Sequence, residues 1–208
     1  MSSRIEWFPR FGNIPGISYI RPQSVDASRL PGFGAVPELQ VYDFDGKRLE
    51  SLLWSYEGIT TSASPAQAHE GSGDDSAGLL EACYEGLELP GGSSDYHFLI
   101  QGTASQLWKR RRQEPDTLEH VERLCWLDVE LVEACPQAIT NEYSHEPTFY
   151  QVETFGLLIN LYEREGFLRE ALDVAERAAR SGQGFDVRDQ LAARVAAVDS
   201  ETSGYPGE

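Results

Sequence analysis

The side chains best placed to do chemistry lie in Val41-Tyr42-Asp43-Phe44-Asp45-Gly46, where two carboxylates stand two residues apart ahead of a glycine. Elsewhere the reactive types are dispersed. His69, His97, His120 and His145 form neither an H-x-x-x-H nor an H-E-x-x-H pair, the spacings that gather imidazoles around zinc. Cys83, Cys125 and Cys135 are odd in number, include no C-x-x-C, and sit within or at the ends of apolar helical stretches. They read as buried free thiols. His69 with Glu70, Asp74 and Asp75 could surround a cation, but the stretch is too rich in Gly and Ser to hold ligands in place. No G-x-S-x-G nucleophile elbow occurs. Gly32-Phe33-Gly34 lacks the strand before it and the helix after it that phosphate cradling needs. These residues assign no catalytic set, cofactor or metal.

The Asp43–Gly46 string resembles the D-x-D-G signature of haloacid dehalogenase-like phosphotransferases. The resemblance implies Asp43 as nucleophile, Asp45 as general acid/base, and Mg²⁺ between them and a phosphoester. It also implies a buried parallel sheet, whose strands are continuous apolar runs. The residues themselves allow a plainer reading. Leu39-Gln40-Val41 alternates as a half-exposed strand does, Lys47 stands where the family has Thr or Ser, and Asp45-Gly46 is a turn pair.

Charge narrows the function classes. The 208 residues carry 17 Lys+Arg against 34 Asp+Glu, a net charge of −17. Phosphate backbones attract basic faces, so nucleic acid is not the expected partner. A protein with a neutral or basic surface is. The only basic run is Lys109-Arg110-Arg111-Arg112. It could dock a partner, or it could offset the free carbonyls at a helix end, and four consecutive positions wrap a helix rather than form one patch. No apolar run reaches the ~18 residues of a membrane span. MSSRIEWFPRFG is neither a secretory leader nor a transit peptide, so the expected location is the cytoplasm. Fifteen arginines against two lysines, with abundant Ala, Gly, Glu and Asp, suggest a high-GC, bacterial coding source.

The elements that must position these groups change in texture along the chain. The expected fold is mainly α, a helical bundle or short helical array with a small Pro/Gly-rich, partly β N-terminal region. Prolines at 9, 15, 22, 31 and 37 keep residues 1–59 irregular, with extended pieces near Ile17–Arg21 and Leu39–Phe44. Leu49, Leu52, Leu53 and Tyr56 predict a short amphipathic helix over Lys47–Tyr56. Residues 60–75 hold almost no large apolar side chain and read as a flexible loop or linker. A helical domain follows over 76–199, then a disordered tail over 200–208. Its helices are expected from Ser76 to Tyr84, closed by Gly86; over Tyr96–Gln113, capped by Asp95; from Asp116 or Thr117 to Pro136; from a T-x-x-Q capping box at Thr148 and Gln151 to Gly166; over Leu168–Arg180; and over Asp186–Val198.

Phe155, Leu158, Tyr162, Gly166, Ala171, Ala175 and Ala178 resemble a single tetratricopeptide repeat over Thr148–Gly182. The resemblance implies large residues on one helix meeting alanines on the next, with the glycine turning between them. No second copy lies 34 residues upstream, where Asp128 and Gln137 occupy the matching positions. The same stretch is distantly similar to the helical activation domain of some bacterial transcription regulators, without the winged helix-turn-helix that precedes it there. A repeat-like hairpin implies a non-enzymatic interaction or adaptor protein, free or as a subunit of a larger complex. Its candidate contacts are Asn160, Glu163, Arg164, Arg169 and Glu170, with the Lys109–Arg112 run as a docking strip. Trp7, Phe8 and Phe11 offer a second surface or, the expected outcome, pack on the helices.

Overall fold

The computed structural model describes residues 6–141 and 148–203. In chain order the elements are β1 (Trp7–Phe8), β2 (Val36–Phe44), β3 (Lys47–Tyr56), β4 (Ile59–Thr61), α1 (Ser76–Leu87), β5 (Gly91–Gly92), α2 (Ser93–Arg110), α3 (Thr117–Ala134), β6 (Thr140–Asn141), β7 (Thr148–Phe149), α4 (Glu153–Glu165), α5 (Leu168–Arg180) and α6 (Phe185–Ser203). The protein is mainly helical with a small β region near the N-terminus. It divides into two units at Tyr150/Gln151. The helices expected as one domain over 76–199 are therefore shared: α1–α3 join the N-terminal region, and α4–α6 form the second unit.

In the first unit, Asp45 (φ 48°) and Gly46 (φ 75°) both adopt positive φ. That is the two-residue turn whose twist suits an antiparallel hairpin. It sets β2 against β3 in register from Phe44↔Lys47 to Val36↔Ser55. Glu57 (φ 50°) and Gly58 (φ 77°) repeat the device and bring β4 onto β3. Lys47–Tyr56 is thus a strand and not the expected helix. The two flanking turns fix its register, and cross-strand pairing outweighs a helical spacing of four side chains. Ile17–Arg21 is irregular and unpaired.

Residues 60–75 pack against the helices more than a linker would. Ser64 and Ala66 are buried, and the Ala66 N–H bonds the Pro90 carbonyl at 3.1 Å. The contact depends on Gly86, which lies inside α1 and does not close it. A Cβ there would sit 2.6 Å from Leu99 Cδ2 and 3.1 Å from the Ala66 carbonyl oxygen. Small side chains in this segment are what let it approach α1.

The starts of α1 and α2 shift by a residue or more from expectation, whereas α5 spans Leu168–Arg180 as expected. Asp75, one residue before Ser76, caps α1 by accepting the Gly78 N–H at 2.8 Å. Asp95 lies in the first turn of α2 and accepts the Gly92 N–H at 2.8 Å. α3 spans Thr117–Ala134 as the sequence predicts, with Pro136 just beyond it. The core joins Leu99, Ile100 and Leu107 of α2 to Val121, Leu124 and Leu131 of α3. The N-terminal segment closes over it. Phe11 and Ile14 are buried, and Phe11 meets the Tyr96 ring edge-on at 5.5 Å. The Tyr96 hydroxyl donates to the Leu89 carbonyl at 2.8 Å and lies 3.2 Å from that of Phe8.

In the second unit α4 begins at Glu153, because Thr148 and Phe149 are held in β7 against β6. The capping box expected at Thr148 and Gln151 does not form. Instead the Val152 N–H donates to Gln183 Oε1 at 3.0 Å, tying the start of α4 to the α5–α6 turn. Gly166 (φ 85°) turns α4 into α5, and the Phe167 N–H closes the turn on the Tyr162 carbonyl at 2.8 Å. Ala171, Val174, Ala175 and Ala178 of α5 are buried, as are Phe155 and Leu158 of α4 and Leu191 of α6. α6 runs past Val198 to Ser203, so the first residues of the expected tail are helical, and residues 204–208 lie outside the described ones. No helix among the described residues is long and apolar enough to cross a membrane.

Candidate functional site

Asp43 lies one residue before the end of β2, opposite Arg48, and Asp45 occupies the turn, both exposed. Every strand pair among the described residues is antiparallel. The buried parallel sheet that the dehalogenase-like resemblance implies is therefore not what presents these carboxylates. The turn that Asp45-Gly46 makes is sufficient reason for the string.

A pair that the sequence did not single out lies in the core. His97 Nδ1 on α2 is 2.7 Å from Asp128 Oδ1 on α3, and neither side chain has exposed surface. A carboxylate on Nδ1 is how enzymes orient a catalytic imidazole. Here the other ring nitrogen, Nε2, is buried too and has no hydrogen-bond partner among the described residues. With both ring nitrogens buried, the pair fastens α2 to α3 inside the core. Nearby thiols are equally unsuited to attack. Burial pushes the Cys83 thiol up to about 12 and raises Cys125 well above its usual range. All three cysteines are free and buried. Glu88, buried at the end of α1, meets Arg10 at 3.4 Å. Burial, then the Glu88 charge, raises the Tyr19 hydroxyl above the usual phenol range.

The Lys109–Arg112 run is half engaged within its own unit. Arg110 Nη2 donates to the Asp74 carbonyl at 3.2 Å. Arg111 donates to the Trp108 carbonyl at 2.6 Å and stacks 4.0 Å from the Trp108 ring centroid. The second contact serves the end of α2, where cations are favoured, and the first ties that end to the segment before α1. Lys109 and Arg112 are exposed.

The helical candidates divide in the same way. Glu163 on α4 pairs with Arg194 on α6, and Arg169 at the start of α5 pairs with Asp199 on α6. These two therefore bridge α4 and α5 to α6 across the surface of the unit. Asn160, Arg164 and Glu170 are exposed. Where α5 starts and α6 ends, Phe167, Arg169, Glu170, Val195, Val198 and Asp199 line a cleft of about 200 Å³. Phe167 and Val198 remain roughly half exposed at 52% and 46%. The sequence supplied the polar rim of this cleft but not its apolar floor, because the floor needs α6 folded back beside α5. Comparison of the chain with protein families, with curated proteins and with solved structures finds no match.

Proposed function

We propose that the protein is a non-enzymatic interaction or adaptor protein whose α4–α6 unit presents the binding surface. The observation that supports this most is the cleft between α5 and α6, whose apolar floor, Phe167 and Val198, is left open to solvent. Exposed apolar area of this kind, rimmed by charge, is the usual mark of a binding patch. The resemblance of the α4–α5 hairpin to a tetratricopeptide repeat agrees with it. Asp199 on the rim is paired with Arg169, which leaves Glu170 and the net charge of −17 to favour a partner with a basic or neutral surface carrying a large apolar side chain. The test is affinity purification of the full chain from its native source, with mass spectrometry. A specific partner recovered by the wild type is lost with Phe167→Asp, whereas Phe33→Asp, an exposed phenylalanine of the first unit, retains it. Equal recovery with both variants counts against the cleft, and recovery of no partner counts against the function. The dehalogenase-like alternative gains no support from the antiparallel hairpin that carries Asp43 and Asp45.

A further inference from the structure

A different surface, the outer edge of β2, pairs with no further strand among the described residues. The two-residue turn at Asp45-Gly46 makes Phe44 and Lys47 the hydrogen-bonded closing pair of the hairpin. Val36, Glu38, Gln40, Tyr42 and Phe44 therefore turn their amides toward β3. Pro37, Leu39, Val41 and Asp43 turn theirs away, onto an edge with no further strand among the described residues. Pro37, which has no N–H to donate, falls in the outward set, where a sheet tolerates proline.

Free edges invite another strand, and proteins guard them with charge or keep them short. The outward edge of β3 beyond β4 is guarded by Arg48 and Glu50. The β2 edge runs for 9 residues; Pro37, Glu38 and Asp43 guard it toward its ends, and its other exposed side chains include Val36 (61%), Leu39 (53%), Val41 (41%) and Phe44 (63%). Val36 and Phe44 stand on one face of the sheet, Leu39 and Val41 on the other.

We propose that two copies of this chain pair antiparallel along β2, joining two three-stranded sheets into one six-stranded sheet about a two-fold axis at Gln40. This register alone overlays the whole strand on its copy. It sets Leu39 against Val41 and Val36 against Phe44, each pair formed twice by symmetry. Leu39 and Val41 meet as a hydrogen-bonded pair through their outward amides. Glu38 meets Tyr42, so no two carboxylates stand opposite, and Asp43 meets Pro37, which accepts the Asp43 N–H but donates none, so the seam lacks one bond at each end. A shift of two residues either way leaves Val36 or Phe44 without an apolar partner. A single strand edge buries less than the ~800 Å² per partner of a permanent interface, so the dimer is concentration-dependent.

Sedimentation velocity of the full chain across about 1–500 μM tests this, with monomer expected at the low end and dimer at the high end. Val41→Pro removes an outward N–H and leaves the bonds to β3 in place, so it weakens the dimer at least about tenfold with unchanged circular dichroism. Leu39→Lys does the same by charge and serves if the proline disturbs folding. Gln40→Cys tests the register: at the axis the two Cα atoms stand ~4.5 Å apart, within disulfide reach, so mild oxidation links the copies. Glu38→Cys, opposite Tyr42, does not link. A chain monomeric throughout, a dimer unmoved by both edge variants, or equal linking by the two cysteine variants overturns the proposal.

Discussion

His97 and Asp128 stand 31 positions apart in sequence on different helices, yet they share one buried hydrogen bond. His97→Ala leaves the Asp128 carboxyl in the core without its imidazole and opens a cavity. A loss of about 3–5 kcal/mol in unfolding free energy is expected, read from urea denaturation. A loss within ~1 kcal/mol would show that the pair is not what holds α2 to α3. His69 behaves differently. Burial holds its imidazole below the usual range, and Glu85 at 3.6 Å only partly opposes that. The folded state thus favours the neutral ring, and the unfolded chain binds the proton more readily. The resulting stability is complete above the unfolded value near 6.5 and is lost as pH falls through the interval below it. Thermal melts from pH 7.5 down to about 5 should show the wild type losing ground to His69→Gln, with parallel curves counting against this assignment. Neither role was visible in the sequence, where a lone histidine carries no local signal of what it will meet.

At the scale of elements, two glycines separate backbone freedom from packing. Gly86 in α1 leaves no room for a Cβ, whereas a Cβ at Gly102 in α2 meets nothing within 4 Å. Gly102→Ala should raise stability by about 0.5–1 kcal/mol through helix propensity, and Gly86→Ala should lower it despite the same gain. Paired denaturation curves with the same sign for both variants would contradict the close packing of Leu99 and Ala66 against Gly86. The sequence read α3 and α5 well because their apolar residues cover a face at helical period and end at Pro136 or Gly182. It misread β3 for a physical reason. Leu49 and Leu53 lie on one face of the hairpin, while Leu52, Trp54 and Tyr56 lie on the other. A strand apolar on both faces has no alternation to detect, and its leucines then mimic a helical stripe. The capping box at Thr148 failed similarly, since pairing with Thr140 and Asn141 claimed the backbone it needed.

For the molecule as a whole, the division at Tyr150 was not legible, because no composition shift marks it within the helical stretch. The N-terminal region belongs with α1–α3 through Phe11, whose packing on the helices the sequence led one to expect, and through Ile14, which it did not single out. What was legible is the charge, and it separates the two proposed interactions. Each copy brings −17, so joining two copies at β2 works against like-charge repulsion. A basic partner at the α5–α6 cleft works with attraction. Raising salt shortens the Debye length from ~10 Å at 0.1 M to ~3 Å at 1 M and weakens both effects. The dimer should therefore tighten with added NaCl while the heterologous complex loosens. Sedimentation velocity measures the first and partner recovery the second, on the same protein in the same buffers. A dimer that dissociates as salt rises would place charge pairs, and not the apolar Leu39–Val41 and Val36–Phe44 contacts, at its interface.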